Sequence, residues 1–274
     1  MSEVRLRIDL AYDGAPFAGF ARQPDQLTVQ GTLESALHRL VGHELTTTGA
    51  GRTDRGVHAR GQVVHVDLAR SQPRVAALLA DLDVMRERLD RLVGEAVTIW
   101  RVQAVPGTFD ARFSAVARRY RYRLVDAAAQ DPIRRHDRWH LGVPLDRAAM
   151  RTAADALIGE HDFASFCRRA PGRTTVRRID VLRVSRPARG NLEVVVEGPA
   201  FCHQQVRSVV GCLVEVGRGR RDPGWLAEVL AARDRGAAAR VAPPHGLTLE
   251  RVSYGRGLPA APPPWARAME RQRG

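Results

Sequence analysis

Apolar and polar positions alternate from the start of the chain. Val4, Leu6, Ile8 and Leu10 are separated by Arg5, Arg7 and Asp9, the period of a strand with one buried face. It runs into Tyr12-Asp13-Gly14, a turn signal. Val29, Leu33, Leu37, Leu40 and Val41 then share one helical face, and Gly42 is placed to end that helix. Gln62 to Leu68 reads as a strand, Arg74 to Leu92 as one helix, and Thr98 to Val105 as a further strand.

Val105-Pro106-Gly107-Thr108 marks a junction between halves at 1–106 and 107–254. Beyond it, Arg119, Arg121 and Arg123 alternate with Tyr120, Tyr122 and Leu124, which puts arginines on one sheet face and tyrosines on the other. Asp146 caps a helix carrying Met150, Ala153 and Leu157, stopped by Gly159. Val176 to Ser185 and Asn191 to Gly198 read as an antiparallel strand pair. A helix from about His203 to Val216 follows, and Asp222-Pro223 opens another. Residues 255–274, with Pro262-Pro263-Pro264, read as a loose tail. Strands and helices mix in both halves, so the fold class is α+β with largely antiparallel sheet. The similar order of the halves hints at duplication, without a clear repeat.

The 274 residues carry 43 basic and 30 acidic side chains, a net charge of +13, and every basic one is arginine. Genome composition explains arginine over lysine but not the excess, which favours a polyanionic partner, nucleic acid above all. No apolar run approaches the roughly 18 residues of a membrane span, and the N-terminus has no signal-peptide region. A cytoplasmic protein is expected. Cys167, Cys202 and Cys212 have neither metal-type nor redox-pair spacing and read as free thiols.

No metal or cofactor motif is present, so neither is expected. Candidate chemistry centres on Gly49-Ala50-Gly51-Arg52-Thr53-Asp54-Arg55-Gly56-Val57-His58. Asp54 stands between two arginines in a glycine-rich loop, an arrangement suited to an ionised acid beside a polyanion. An Asx turn with solvated arginines explains the same residues. Arg207 lies on a partly apolar helix face, where it either snorkels to water or pairs with an acid such as Asp54. Tyr120 and Tyr122 are core tyrosines or stacking platforms for a base. His65 and His203 read as ordinary residues, and His58 as one that shapes the loop.

Six ordered blocks between Val4 and Tyr254 resemble the TruA-type tRNA pseudouridine synthases. They are Tyr12-Asp13-Gly14 with Phe17, Gly19 and Thr28-Val29-Gln30-Gly31; Gly51 to Ala59 with Gly61-Gln62-Val63; Phe109 to Ala115 leading into Arg119-Tyr120-Arg121-Tyr122; His161-Asp162-Phe163; Val206 to Gly211; and Ala242-Pro243-Pro244 with Gly246-Leu247. The resemblance implies two α/β halves around a mainly antiparallel central sheet with a basic cleft, a homodimer, no cofactor, and tRNA as partner. It implies isomerisation of uridines in the 3′ part of the anticodon arm. Asp54 would be the catalytic aspartate, Tyr120 the residue contacting the base, Arg207 the partner of the aspartate, and Arg52 an aid to base extrusion. The chain departs from the family's usual residues at Phe20-Ala21, Arg55, Leu89 to Gly94 and Gln205; none of these carries a chemical role. An RNA-binding protein without activity and a nuclease are the competing classes. The Asp54, Arg52, Tyr120 and Arg207 set speaks against the first, and the lack of clustered metal-binding carboxylates against the second.

Overall fold

The computed structural model describes residues 3–168, 172 and 174–255. It divides into two units, one formed by the chain up to Val116 with the segment from Leu249 onward, the other by Ala117–Thr248. Residues 256–274, most of the segment read as a loose tail, lie outside the described residues.

In the first unit, β1 (Glu3–Tyr12) places Leu6, Ile8 and Leu10 fully inside, as the alternation requires. Its other face is not solvated. Arg7 and Asp9 are buried too, with Arg7 Nε 2.7 Å from Asp9 Oδ1 and the guanidinium 4.8 Å above the Tyr254 ring. The ion pair and the aromatic cover make burial of these charges tolerable. The strand is therefore buried on both faces, where the sequence pattern implied one.

α1 (Val29–Val41) starts on Thr28, whose side chain accepts the Gly31 N–H, and ends on Gly42 at φ 91°. β2 (Thr48–Gly49) pairs with β3 (His58–Ala69). The single helix expected from Arg74 to Leu92 is two, α2 (Pro73–Leu79) and α3 (Leu82–Val93). Asp81 causes the break: its carboxylate accepts the Asp83 and Val84 N–H groups, both at 3.0 Å, and restarts the helix as an N-cap. β4 (Val97–Val105) follows, antiparallel to β1.

The second unit is built on β5 (Ala115–Val125), against which the short β6 (Trp139–His140) lies parallel. α4 (Arg147–Asp155) is capped by Asp146 as expected but stops before Leu157, and Gly159 at φ 109° opens β7 (Gly159–Asp162) instead of closing the helix. The strand expected from Val176 to Ser185 is divided at Asp180. Its first part, β8 (Val176–Ile179), pairs with β7, and only β9 (Val181–Ala188) pairs with β10 (Asn191–Gly198). β10 lies between β9 and β5, antiparallel to both. α5 (Gln205–Gly217) is buried along most of its length. Asp222 caps a turn through the Gly224 N–H (2.8 Å), and α6 (Trp225–Ala232) begins just beyond it. The last strand, β11 (Leu247–Tyr254), returns to the first unit, whose strand order is β4-β1-β3-β11. β6 runs parallel to β5, while β1–β3, β1–β4, β2–β3, β5–β10, β9–β10 and β7–β8 are antiparallel, the α+β, mainly antiparallel architecture expected.

Candidate active site

Asp54 stands in the loop that joins β2 to β3, and its neighbours are held from several directions. The Tyr12 hydroxyl is 2.8 Å from Thr53 Oγ1, and the Phe20 N–H donates to the Thr53 carbonyl at 3.1 Å. Gln62 Nε2 donates to the Gly51 carbonyl at 2.8 Å, and the Val57 N–H closes the turn on the Asp54 carbonyl at 3.1 Å. Thr53 and Val57 are buried while Asp54 is partly exposed and Arg52 and Arg55 are exposed. Buried anchors before and after Asp54 thus fix its backbone.

Glycine makes the approach possible at two positions. A Cβ on Gly14 would sit 2.1 Å from the Val57 carbonyl oxygen, and one on Gly49 would sit 2.4 Å from the Phe20 ring. The Tyr12-Asp13-Gly14 block and the stretch to Phe20 therefore brace the aspartate loop. His58 belongs to this brace: its Nδ1 accepts the Gly14 N–H at 3.0 Å and lies equally near Asp13 Oδ1. A protonated Nδ1 would turn to Asp13 and could not accept from Gly14, so the tautomer sets which contact holds.

The central block is anchored in the same unit. Phe109 packs against His65 and Tyr254, His65 Nδ1 accepts the Ala111 N–H at 3.0 Å, and the Tyr254 hydroxyl donates to the Ala111 carbonyl at 2.8 Å. Burial, followed by the nearby Arg5 charge, lowers the His65 pKa. His65 is an ordinary residue, as expected, and a buried one with a definite structural duty.

In the second unit the two tyrosines part company. Tyr122 is fully buried, donates to the Pro243 carbonyl at 2.7 Å and packs on Gly246, where a Cβ would be 2.6 Å from the ring. Burial pushes its phenol up. Tyr122 is a core residue. Tyr120 sits opposite Val196 in the β5–β10 register, 9% exposed, with its ring edge-to-face on Phe201 at 5.5 Å.

Arg207 rises from the first turn of α5, partly exposed, and its Nε donates to the Ala242 carbonyl at 2.8 Å, while the Ala242 N–H donates back to the Arg207 carbonyl at 3.1 Å. The Ala242-Pro243-Pro244 block thus fastens both Arg207 and Tyr122. Gly211 lets α5 come this close, since a Cβ there would lie 2.1 Å from the Arg240 carbonyl oxygen.

The arginines that alternate along β5 are paired with acids. Arg119 pairs with Glu197, Arg121 with Glu193 at 3.1 Å, and Arg123 lies 3.7 Å from Glu193 and 3.9 Å from Asp137. These charges are matched across strands. Among the predicted site residues, Asp54 and Arg52 share the loop of the first unit, and Tyr120 and Arg207 lie in the second. Sequence reasoning missed Tyr12, Thr53 and Gln62 as the supports of Asp54. For Gln62 the one signal was its buried amide within the apolar alternation of β3. Among the described residues no group of three or more His, Cys, Asp or Glu is placed to hold a metal ion.

The chain belongs to the tRNA pseudouridine synthase family: the model of that description matches residues 10–113 and 153–255. It is accordingly an isomerase, of the TruA type. It is 51% identical over 253 residues to tRNA pseudouridine synthase A of Frankia casuarinae, covering 92% of this chain and 89% of that one. The enzyme of the same name from Streptomyces griseus is 47% identical over 256 residues, covering 92% and 88%. A solved Cbf5-Nop10-Gar1 complex aligns at 11% identity and a TM-score of 0.34 over 89% of this chain and 48% of that one, too remote a likeness to argue from.

Proposed function

We propose that this synthase isomerises uridines in the 3′ part of the tRNA anticodon arm, with the Asp54 carboxylate as the reacting group. The observation that carries the reading is the Asp54 loop itself, in which buried Thr53 and Val57 fix the backbone and Asp54 between them is partly exposed. Pseudouridine formation breaks the N1–C1′ bond, turns the uracil and rejoins it through C5, releasing the C5 proton. No net oxidation occurs, and one carboxylate suffices where glycoside hydrolases usually use two. The carboxylate must be ionised, whether it attacks carbon or removes a proton.

Arg207 is the proposed partner of that carboxylate. Its bond to Ala242 aims the guanidinium, and a pairing arginine favours the charged form of an acid. Tyr120 is the proposed contact of the target base, with Phe201 fixing its ring. Exposed Arg52 is the proposed aid to extrusion, which costs a few kcal/mol for a stacked nucleotide. Water must be kept from the detached uracil, because hydrolysis competes. The working form is a homodimer in the cytoplasm, needing no cofactor. Pseudouridine mapping of tRNA from cells lacking the gene tests the assignment. Anticodon-arm sites should revert to uridine and return on complementation; an unchanged map would refute it.

A further inference from the structure

Cys167 and Cys202 are distant in sequence, and their spacing gave no sign of a pair. In the second unit they meet. Cys167 follows the short 3-10 turn Ala164–Phe166 and is buried; Cys202 lies between β10 and α5, partly exposed. The chain is tied beside both sulfurs, with the Arg168 N–H donating to the His203 carbonyl at 3.2 Å. That tie brings the two thiols within reach of each other, and Cys202 Sγ donates to the Thr175 carbonyl at 3.9 Å. The neighbouring Cys167 thiol favours the Cys202 thiolate and lowers its pKa; Arg177 acts the same way, against the effect of burial. The third cysteine is the opposite case: Cys212 is buried, and burial pushes its thiol up to about 11.

We propose that Cys167 and Cys202 are an oxidation site, closing to a reversible disulfide when the protein meets hydrogen peroxide. The accessible Cys202 thiolate attacks the peroxide O–O bond, giving a sulfenic acid and hydroxide, which takes up a proton to become water. Cys167 sulfur then attacks the sulfenic sulfur; its proton leaves with the departing hydroxyl as a second water, and the S–S bond forms. Two thiols and one peroxide become a disulfide and two waters, the sulfurs supplying both electrons. Closing the bond requires the two Cβ atoms to come within about 3.5–4.5 Å of each other, which the adjacent, tied segments allow through side-chain rotation. Such disulfides in reducing compartments are transient and regulatory.

The pair sits at a sensitive place. The neighbouring Phe201 ring supports Tyr120, and the Cys202 N–H donates to Gln205 Oε1 at 2.8 Å, at the start of the helix that carries Arg207. Bond closure should therefore slow turnover on tRNA, a consequence that rests on the proposed roles of Tyr120 and Arg207. Disulfide formation does not rest on them.

The full chain is treated with hydrogen peroxide, then unfolded, alkylated and mapped by mass spectrometry without reduction. Two of the three thiols should be lost to one intramolecular link joining Cys167 to Cys202, with Cys212 still alkylated and all three restored by dithiothreitol. In Cys167→Ser, Cys202 should instead accumulate a sulfenic acid trapped by dimedone, with no link. Retention of all three thiols after peroxide, or oxidation of Cys202 to higher acids without the link in the wild-type chain, would overturn the proposal. A disulfide that forms and leaves turnover unchanged would sustain the oxidation site and count against the roles given to Tyr120 and Arg207.

Discussion

The His65 imidazole can accept the Ala111 N–H only while Nδ1 is unprotonated. Its folded pKa lies below the usual histidine value because burial opposes the charge. The sign follows. Its contribution to stability is complete above about pH 6.5, the unfolded value, and is lost as pH falls from there through the folded value. Thermal melts between about pH 7.5 and about pH 5 should show wild type losing stability more steeply than His65→Gln, whose amide oxygen can accept the same N–H. Equal slopes would remove His65 from the account. Tyr120 calls for a different comparison. Tyr120→Phe keeps the edge-to-face contact with Phe201 and should retain tRNA affinity and a fraction of turnover, whereas Tyr120→Ala should lose turnover by at least about tenfold, roughly 1.4 kcal/mol of barrier. Equal rates in all three proteins would reject base contact. Asp54 stood out in the sequence as a candidate, a carboxylate among glycines and arginines that an Asx turn explains equally well, and the family resemblance gave it its proposed role. Its supports, Tyr12 and Thr53, were not, because a hydroxyl pair 41 residues apart in the chain leaves no local mark.

Between elements, the braced loop depends on close backbone approach. Gly14→Ala places a methyl carbon 2.1 Å from the Val57 carbonyl oxygen, so the turn after β1 and the Asp54 loop must move apart. We expect destabilisation of about 1–3 kcal/mol and a fall in kcat exceeding any rise in KM, because the shift reaches Asp54 before it reaches any exposed arginine. A kcat unchanged in the folded variant would show that the brace is dispensable. Elements with a strong period were legible: β1, α1 and α5 fall where alternation and helical spacing put them. The failures share a cause, since periodicity cannot see a partner. Asp81 interrupts an apolar stripe that continues across it, and Asp180 divides a strand whose two parts bond to different neighbours. Arg7 and Asp9 looked solvent-facing because nothing local announces the Tyr254 ring that covers them.

For the whole molecule, the charge of +13 pointed to nucleic acid, and the family shows that the substrate is tRNA. Arg119, Arg121 and Arg123 of β5 are neutralised by Glu197, Glu193 and Asp137, so exposed residues such as Arg52 and Arg55 are the proposed phosphate contacts. Affinity for tRNA should therefore fall by at least about tenfold between about 50 and about 200 mM salt, and Arg55→Gln should flatten the slope while Arg121→Gln does not. A salt-independent affinity would contradict this. The account as a whole turns on one carboxylate, and the direct measurement is tritium release from tRNA labelled at uracil C5. Asp54→Asn, which keeps size and loses charge, should bind tRNA near the wild-type affinity and release no tritium above background. Release at the wild-type rate would show that the reacting group lies elsewhere.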